Sequence, residues 1–210
     1  MNPSVGRGDD PSAESPGRLI VISGPSGAGK STVVRQLIEQ CPLPLVLSVS
    51  ATTRSPRPGE VDGKHYFFVS HDAFQDRRRA GDFLECKEVF GRGHWYGTLR
   101  EQVASGLARG QWVILEIDVQ GAMAILDDPS LKPITLFIQP GGLDELDRRL
   151  RSRGTEDDDA IHRRLEVAAT EMNYRHRYQY EIINGRVGDA VAEICEILKS
   201  HQTQRTCSKN

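Results

Sequence analysis

One stretch near the start of the chain constrains its fold more than any other feature. Residues 24–31 read Gly-Pro-Ser-Gly-Ala-Gly-Lys-Ser, which fits the pattern G-x-x-x-x-G-K-[ST] at each defined position. An apolar run at 19–23 precedes the pattern, and helical periodicity follows it over 33–38. A strand, a glycine-rich loop and a helix in this order are typical of a phosphate-binding loop, or P-loop.

The chemistry of phosphate binding explains the residue types in this loop. Glycines let the backbone curl so that consecutive N–H groups point at one anion, and the following helix adds its positive end. Lys30 can reach the β and γ phosphates of a nucleotide, and the Ser31 hydroxyl can ligate Mg²⁺. A plain glycine turn would not require lysine and serine after its last glycine. We therefore expect ATP to contact nine consecutive residues: Gly24, Pro25, Ser26, Gly27, Ala28, Gly29, Lys30, Ser31 and Thr32.

The rest of the chain alternates strand-like and helix-like segments, which predicts an α/β fold with a mainly parallel core sheet. Further strands are predicted at 45–50, 113–118, 134–138 and 182–184, with a closing amphipathic helix at 189–199. Short strand-like pieces at 65–69, 83–85 and 95–96 predict a small antiparallel subdomain inserted into this alternation. Two further helices are expected from start signals, a capping box formed by Thr98 with Glu101 and an acidic run after Thr155.

The composition fits one ordinary domain between two tails. The chain has 210 residues, of which 38% are hydrophobic, and this is enough to bury a core. Residues 1–17 and 201–210 are polar and predict flexible tails around a domain at 18–200. The net charge of −2 shows no excess of basic residues of the kind that binds nucleic acid. The apolar runs are too short to span a membrane, so we expect neither nucleic acid nor a membrane as a partner.

The sequence also favours a cytoplasmic location and no obligate protein partner. Residues 1–17 lack the apolar stretch of a secretory signal. The four cysteines show neither C-x-x-C spacing nor a histidine at metal-ligand distance along the chain. We expect them to be reduced thiols rather than a disulfide or zinc framework.

Two groups of polar residues mark candidate sites beyond the P-loop. Glu116 and Asp118 end a predicted core strand, where ligands of open α/β sheets collect. One of them is expected to orient Mg²⁺ or its waters, unless both are loop acids without a ligand. Arg54 and Arg57 lie on a loop stiffened by two prolines and suit a phosphate monoester, with hydroxyls from Tyr66 and Tyr96. The alternative is a pair of solvated arginines.

Four segments of the chain together resemble guanylate kinases. They read GPSGAGKST, SVSATTRSPRPGEVDGKHYFFV, EIDVQGA and RSRGTEDDDAIHRRL, in the family's order, and the resemblance extends over about 18–198. It implies a P-loop NTPase core that binds ATP, an inserted GMP-binding subdomain at about 50–101 and a helical lid at about 144–174. The implied reaction transfers the γ-phosphate of ATP to GMP, and also to dGMP, in purine nucleotide metabolism.

The resemblance also implies a role for individual residues. GMP would be held by Ser50, Arg54, Arg57, Tyr66, Glu85, Tyr96, Gly97, Thr98 and Asp118. In this set Ser50, Glu85 and Thr98 would read the guanine. The transferring phosphoryl group would meet Lys30, Arg54, Arg149, Arg153 and Arg164, and Mg²⁺ would be held by Ser31 and Asp118, partly through water. Such chemistry requires cations and no dedicated general base.

Two departures from the family pattern and two rival functions accompany this interpretation. The segment 90–97 is about two residues longer than the family's F-G-x-x-Y-G, and Asn184 is followed by Gly and Arg where acids are common. One rival is a related P-loop kinase acting on another phosphorylated acceptor. The other is a non-catalytic scaffold module of the same fold that binds peptides.

Overall fold

The computed structural model describes residues 17–89, 93–152 and 157–206. The predicted amino-terminal tail, Arg153 and the start of the longer loop at 90–97 therefore lie outside the described residues, apart from Gly17 at the end of the tail. Within the described ranges no helix combines the length and apolarity needed to cross a membrane.

A five-stranded sheet forms the centre of the molecule, and all its strand pairs are parallel. The strands are β1 (Arg18–Ser23), β2 (Leu45–Leu47), β7 (Trp112–Glu116), β8 (Ile134–Gln139) and β9 (Tyr180–Ile183), in the order β2-β7-β1-β8-β9. β1 is central and buried on both faces, which explains its continuous apolar sequence. The P-loop leaves its carboxyl end, at the edge of the sheet where ligands bind in such folds.

Helices cover both faces of this sheet. Helices α1 (Lys30–Gln40) and α7 (Val187–Thr206) pack on one face, whereas α3 (Arg100–Ala108) and α4 (Val119–Leu126) pack on the other. Because side chains alternate along a strand, Ile20 and Ile22 join the first core and Leu19 and Val21 join the second. The predicted α/β fold with a parallel core sheet is confirmed.

A second sheet of four strands lies beside the first. It contains β3 (Ala51–Thr52), β4 (Phe67–Phe68), β5 (Phe83–Val89) and β6 (His94–Leu99), in the order β4-β3-β6-β5. β3 pairs with β4 in parallel and with β6 antiparallel, so the sheet is mixed rather than purely antiparallel. Helix α2 (His71–Ala80) covers it, and Phe74 stacks on Phe83 with ring centroids 4.5 Å apart.

Two helices form a separate layer over the P-loop. Helices α5 (Leu143–Ser152) and α6 (Asp158–Met172) pack through Leu146, Leu150, Ile161 and Ala168. Leu146 also approaches the P-loop so closely that a methyl group on Gly27 would lie 2.8 Å from its Cδ1. Both helices therefore lie where they can contact a ligand bound in the P-loop.

Three local predictions were wrong. The strand predicted at 45–50 ends at Leu47, where the side chain is exposed, and the chain then crosses to the second sheet. The capping box at Thr98 does not form, because Thr98 lies within β6 and α3 begins two residues later without a side-chain cap. Residues 201–206 of the predicted tail are helical, and the Tyr180 hydroxyl contacts His201 Nε2 at 2.8 Å, whereas residues 207–210 lie outside the described residues.

Candidate active site

The P-loop wraps around the ammonium group of Lys30. Its Nζ donates to the carbonyl oxygens of Gly24 and Pro25 at 2.7 and 3.0 Å. Gly24 and Gly29 have φ values of 140° and 86°, a region that residues with a side chain rarely adopt. Burial lowers the pKa of Lys30, although the carboxylates of Glu116, Glu171 and Asp118 oppose that shift. The loop therefore presents a buried cation at the start of α1.

A cleft of about 500 Å³, here named the P-loop cleft, opens above this loop. Seven of the nine residues predicted to contact ATP line it: Gly24, Ser26, Gly27, Gly29, Lys30, Ser31 and Thr32. Pro25 and Ala28 are outside this lining, and Ala28 is fully buried, with its carbonyl accepting from Asn184 Nδ2 at 2.7 Å. Asn184 thus stabilises the P-loop through this hydrogen bond.

A hydroxyl and a carboxylate meet at the floor of the P-loop cleft. Ser31 Oγ donates to Glu116 Oε1 at 2.5 Å. Asp118 is engaged elsewhere, since its Oδ1 caps α4 by accepting from the Gly121 N–H at 2.9 Å and its Oδ2 pairs with Lys87. Hard oxygen ligands suit Mg²⁺, which keeps several waters and takes further ligands from phosphates. Ser31 and Glu116 fit that ion, and Asp118 lies beside them.

A second cleft of about 230 Å³ adjoins the first and faces the mixed sheet. Six of the residues predicted to hold GMP line it: Ser50, Tyr66, Glu85, Tyr96, Gly97 and Asp118. Lys87, Glu116 and Asp118 line both clefts, so the two spaces share a boundary. The fold therefore brings together residues that are up to 68 positions apart in the sequence, Ser50 and Asp118.

A half-buried carboxylate distinguishes the second cleft. Thr98 Oγ1 donates to Glu85 Oε1 at 2.7 Å, and this bond replaces the helix cap predicted for Thr98. Burial raises the pKa of Glu85, which the Thr98 hydroxyl opposes and the nearby Asp118 reinforces. The glycine at 121 makes room for the group, because a Cβ there would lie 2.8 Å from Glu85 Oε2. In the ligand-free protein the Glu85 carboxylate is therefore less solvated than it would be in water.

Replacing Glu85 with glutamine should therefore raise the melting temperature of the ligand-free protein at neutral pH by a few degrees. A raised folded-state pKa means that the folded chain binds protons more tightly than the unfolded chain, so stability falls as pH rises through that pKa. The gain from Glu85→Gln should shrink as the pH is lowered towards the ordinary range of a glutamate. Calorimetry at several pH values measures this.

Glu88→Gln is the matched control for that experiment, because Glu88 lies on the same strand and is exposed. It should leave the melting temperature within about one degree of the wild type. An equal stabilisation by both variants, or a gain from Glu85→Gln that does not depend on pH, would contradict the assignment of the effect to burial.

Arg54 is held beside the second cleft by hydrogen bonds and ring contacts. Its guanidinium makes two bonds to Glu60 at 2.8 and 2.9 Å, and its Nε donates to the Tyr96 hydroxyl at 3.1 Å. The Tyr66 ring lies 5.5 Å from the same group. The Arg54 guanidinium lowers the pKa of Glu60 to about 2, with help from the Arg57 N–H. Arg57 itself is exposed, and the structure does not bring its side chain into the cleft lining.

Two of the three arginines predicted to contact the transferring phosphoryl group from the lid segment lie near the P-loop. Arg164 on α6 donates to Ser26 Oγ at 2.9 Å. Arg149 on α5 bonds Glu145 Oε1 at 2.7 Å and the Asn184 carbonyl at 2.6 Å. A Cβ on Gly29 would lie 3.9 Å from the Arg149 guanidinium. The third, Arg153, lies outside the described residues.

Comparison with known proteins agrees with this geometry. The profile of the guanylate kinase family matches residues 16–201. The chain belongs to the guanylate kinase family. Guanylate kinases from Rhodopirellula baltica and Sphingopyxis alaskensis are 61% and 44% identical to it, over 96% and 90% of this chain and 100% and 84% of theirs. The crystal structure of guanylate kinase from Anaplasma phagocytophilum matches with a TM-score of 0.72 at 33% identity, covering 90% of this chain and 88% of that one.

Within this member of the guanylate kinase family, sequence reasoning missed Glu171 and Lys87 at the site, and it noted Asn184 only as a departure from the family pattern. Glu171 lines the P-loop cleft from α6, and burial raises the pKa of its carboxyl group while Lys30 opposes the shift. Asn184 is almost fully buried against the P-loop, and Lys87 stands between the clefts. Glu171 and Lys87 belong to none of the short motifs. Lys87 lies two residues after Glu85 on one strand. Only this spacing could have indicated that the two side chains share a face of the sheet.

Proposed function

We propose that this chain transfers the γ-phosphate of ATP to GMP, and also to dGMP, giving ADP and the nucleoside diphosphate. The observation that carries this proposal is the half-buried Glu85 carboxylate, held by Thr98 in a cleft that adjoins the P-loop cleft. Membership of the guanylate kinase family supports it over nearly the whole chain. The second cleft then takes the acceptor nucleotide, and the P-loop cleft takes the donor.

Guanine suits the acceptor site because of its hydrogen-bonding edge. The N1–H and N2–H groups of guanine can both donate to one carboxylate, and Glu85 offers two oxygens. Ser50 and Thr98 can contact the O6 side of the base with their hydroxyls, where adenine carries an amino group. Adenine would turn its N1 lone pair towards Glu85, so the same site disfavours AMP.

The acceptor phosphate would be held at the other end of the second cleft. Arg54 is oriented there by Glu60 and lies beside Tyr66 and Tyr96, and these three supply charge and hydroxyl donors. Arg57 can join them from the exposed side of the loop. Guanidinium groups suit a phosphate monoester because they donate two parallel hydrogen bonds. The phosphate oxygen that attacks would thus point towards the P-loop cleft.

The donor phosphates would be held by the P-loop backbone, Lys30 and the lid. Lys30 exchanges carbonyl oxygens for phosphate oxygens, while Arg149, Arg153 and Arg164 neutralise charge on the transferring phosphoryl group. Ser31 and Asp118, with Glu116 beside Ser31, would hold Mg²⁺ directly or through water. The ion would supply positive charge at the β and γ phosphates. The attacking oxygen is already anionic, so no residue needs to remove a proton.

We place this reaction in the cytoplasm. The described cysteines Cys41, Cys86 and Cys195 are free thiols, as expected where thiols are kept reduced. ATP and GMP are both available in that compartment as substrates.

A coupled assay with ATP and each of the four ribonucleoside monophosphates tests the function directly. GMP should be consumed fastest by at least two orders of magnitude, since a mismatched base leaves the buried carboxylate without donors. A panel extended to sugar phosphates separates this enzyme from a kinase for another acceptor, and a titration with ATP separates it from a scaffold module. Turnover of AMP or a sugar phosphate at the rate of GMP would overturn the proposal.

Binding of both nucleotides should close the molecule. The segments 50–101 and 144–174 carry the acceptor and lid arginines, and they must approach the P-loop to exclude water from the transferred group. Small-angle scattering should show the radius of gyration falling by on the order of 1 Å, from roughly 17 Å for a compact chain of this length. Each ligand alone serves as the control. No change with both ligands demonstrably bound would count against closure.

A further inference from the structure

Lys87 occupies the boundary between the two clefts. Three residues line both spaces, and two of them, Glu116 and Asp118, are acidic. Among the described residues that line both clefts, Lys87 is the one cation. Its side chain is 18% exposed, so it is placed towards the clefts rather than extended into bulk water.

The register of the second sheet fixes where Lys87 points. Lys87 pairs directly with Tyr96 across β5 and β6, and Glu85 pairs with Thr98. Side chains two positions apart on a strand share a face, so Lys87 projects on the same side as Glu85 and Tyr96. Compared with the Glu85 carboxylate that would read the base, Lys87 lies nearer to the residues that would hold the acceptor phosphate. It also lines the P-loop cleft.

In the structure the Lys87 ammonium contacts the core domain. It pairs with Asp118 Oδ2 and donates to Gln120 Oε1 at 3.4 Å. Both partners lie at the start of α4, directly after the strand that carries Glu116. Two nucleotides bound in these clefts would bring their anionic phosphates together at this boundary. Repulsion between the phosphates opposes the reaction, and a cation between them reduces it.

We propose that Lys87 is a further catalytic residue, which contacts the phosphoryl group in transit between the two clefts. A bond forms between an oxygen of the GMP phosphate and the γ-phosphorus, while the bond from that phosphorus to the β–γ bridging oxygen breaks. The electron pair of the broken bond stays on ADP. Lys87 donates hydrogen bonds to the equatorial oxygens, and the step transfers no proton. The inference rests on the proposed function.

A purely structural role for Lys87 makes a different prediction. In that case the ion pair with Asp118 would only join the second sheet to α4, and its loss would lower stability and substrate affinity. Lys87→Met removes the charge and keeps most of the side-chain volume, whereas Lys87→Arg keeps the charge. Lys199→Met is the matched control, because Lys199 is an exposed lysine on α7 paired with Glu196.

Steady-state kinetics and melting temperatures of these variants test the proposal. Lys87→Met should lower kcat for GMP roughly tenfold to a hundredfold, with both KM values within about threefold of the wild type. Lys87→Arg should recover most of kcat, and Lys199→Met should match the wild type. An unchanged kcat in Lys87→Met, or a loss seen only in KM and melting temperature, would overturn it. If Lys87→Met fails to fold, Lys87→Gln is judged by the same criteria.

A double-mutant cycle with Asp118→Asn separates direct from indirect action. If Lys87 contacts the phosphoryl group, Lys87→Met should still lower kcat at least fivefold when Asp118 is already asparagine. If Lys87 acts only by holding Asp118, that effect should vanish, and the proposal would be wrong. A wild-type protein that does not phosphorylate GMP would instead refute the proposed function, so the two failures can be told apart.

Discussion

Replacing Glu85 with alanine should lower kcat/KM for GMP by roughly two to four orders of magnitude. The variant removes both acceptors for guanine N1–H and N2–H, and each donor left without a partner in a buried site costs about 1–3 kcal/mol. The KM for ATP should stay within a few-fold, because the P-loop is lined by other residues. Steady-state kinetics with GMP and AMP measure the effect, and the wild type should discriminate strongly against AMP.

The exposed strand neighbour Glu88 provides the control for this experiment. Glu88→Ala should leave kcat/KM for GMP within about twofold of the wild type. If Glu85→Ala leaves GMP kinetics untouched, or if the wild type uses AMP as well as GMP, Glu85 does not read the base. The assignment of GMP as the acceptor would then fail with it.

Replacing Lys30 with alanine should reduce kcat by about a hundredfold or more. The ammonium group already sits inside the P-loop, 2.7 Å from the Gly24 carbonyl, so it needs little movement to reach a phosphate. Its loss removes positive charge where the transferring phosphoryl group gathers negative charge. Folding should survive, because the Lys30 ammonium donates to two backbone carbonyls and Lys30 is not part of the apolar core. Kinetics and a thermal melt measure the two effects separately.

Arg35→Ala is the matched control, since Arg35 is an exposed cation on the same helix. It should keep kcat close to that of the wild type. Near-normal turnover in Lys30→Ala would exclude the mechanism in which the P-loop lysine stabilises the transferring phosphate. A loss of folding in Lys30→Ala would instead assign the residue a structural role.

Local sequence patterns predicted the elements that depend on local physics. β1, the P-loop and α1 follow from an apolar run, glycines that adopt positive φ and a periodic helix. β1 begins one residue before the predicted run at 19–23, and α1 extends over Lys30–Gln40 on both sides of the periodicity seen at 33–38. The strand at 45–50 was misjudged because its apolar pattern looks the same whether the chain stays in one sheet or crosses to another. Only the pairing of β3 with β6 reveals the crossing.

The two candidate binding sites also differ in how far the local sequence predicts them. The P-loop is contiguous, so the residue types alone identify a phosphate site with lysine and serine in fixed places. Glu85, Thr98 and Tyr96 gain meaning only from the register of β5 and β6, which sets them on one face of the second sheet, with Glu85 and Tyr96 lining the second cleft. Thr98 illustrates the difference, because its spacing from Glu101 predicts a helix cap, yet its hydroxyl bonds the Glu85 carboxylate. A long-range partner took precedence over the local one.

The sequence by itself determined that this chain binds a nucleotide in a P-loop and, through four spaced segments, which family it resembles. Those features depend on backbone conformation and residue type over a few positions, and the sequence carries both directly. Tertiary structure alone decided that Ser31 meets Glu116 rather than Asp118, that Asn184 supports the P-loop, and that Lys87 lies between the clefts. Such contacts join residues far apart in the chain, and their distances follow from packing of the sheets and not from spacing in the sequence.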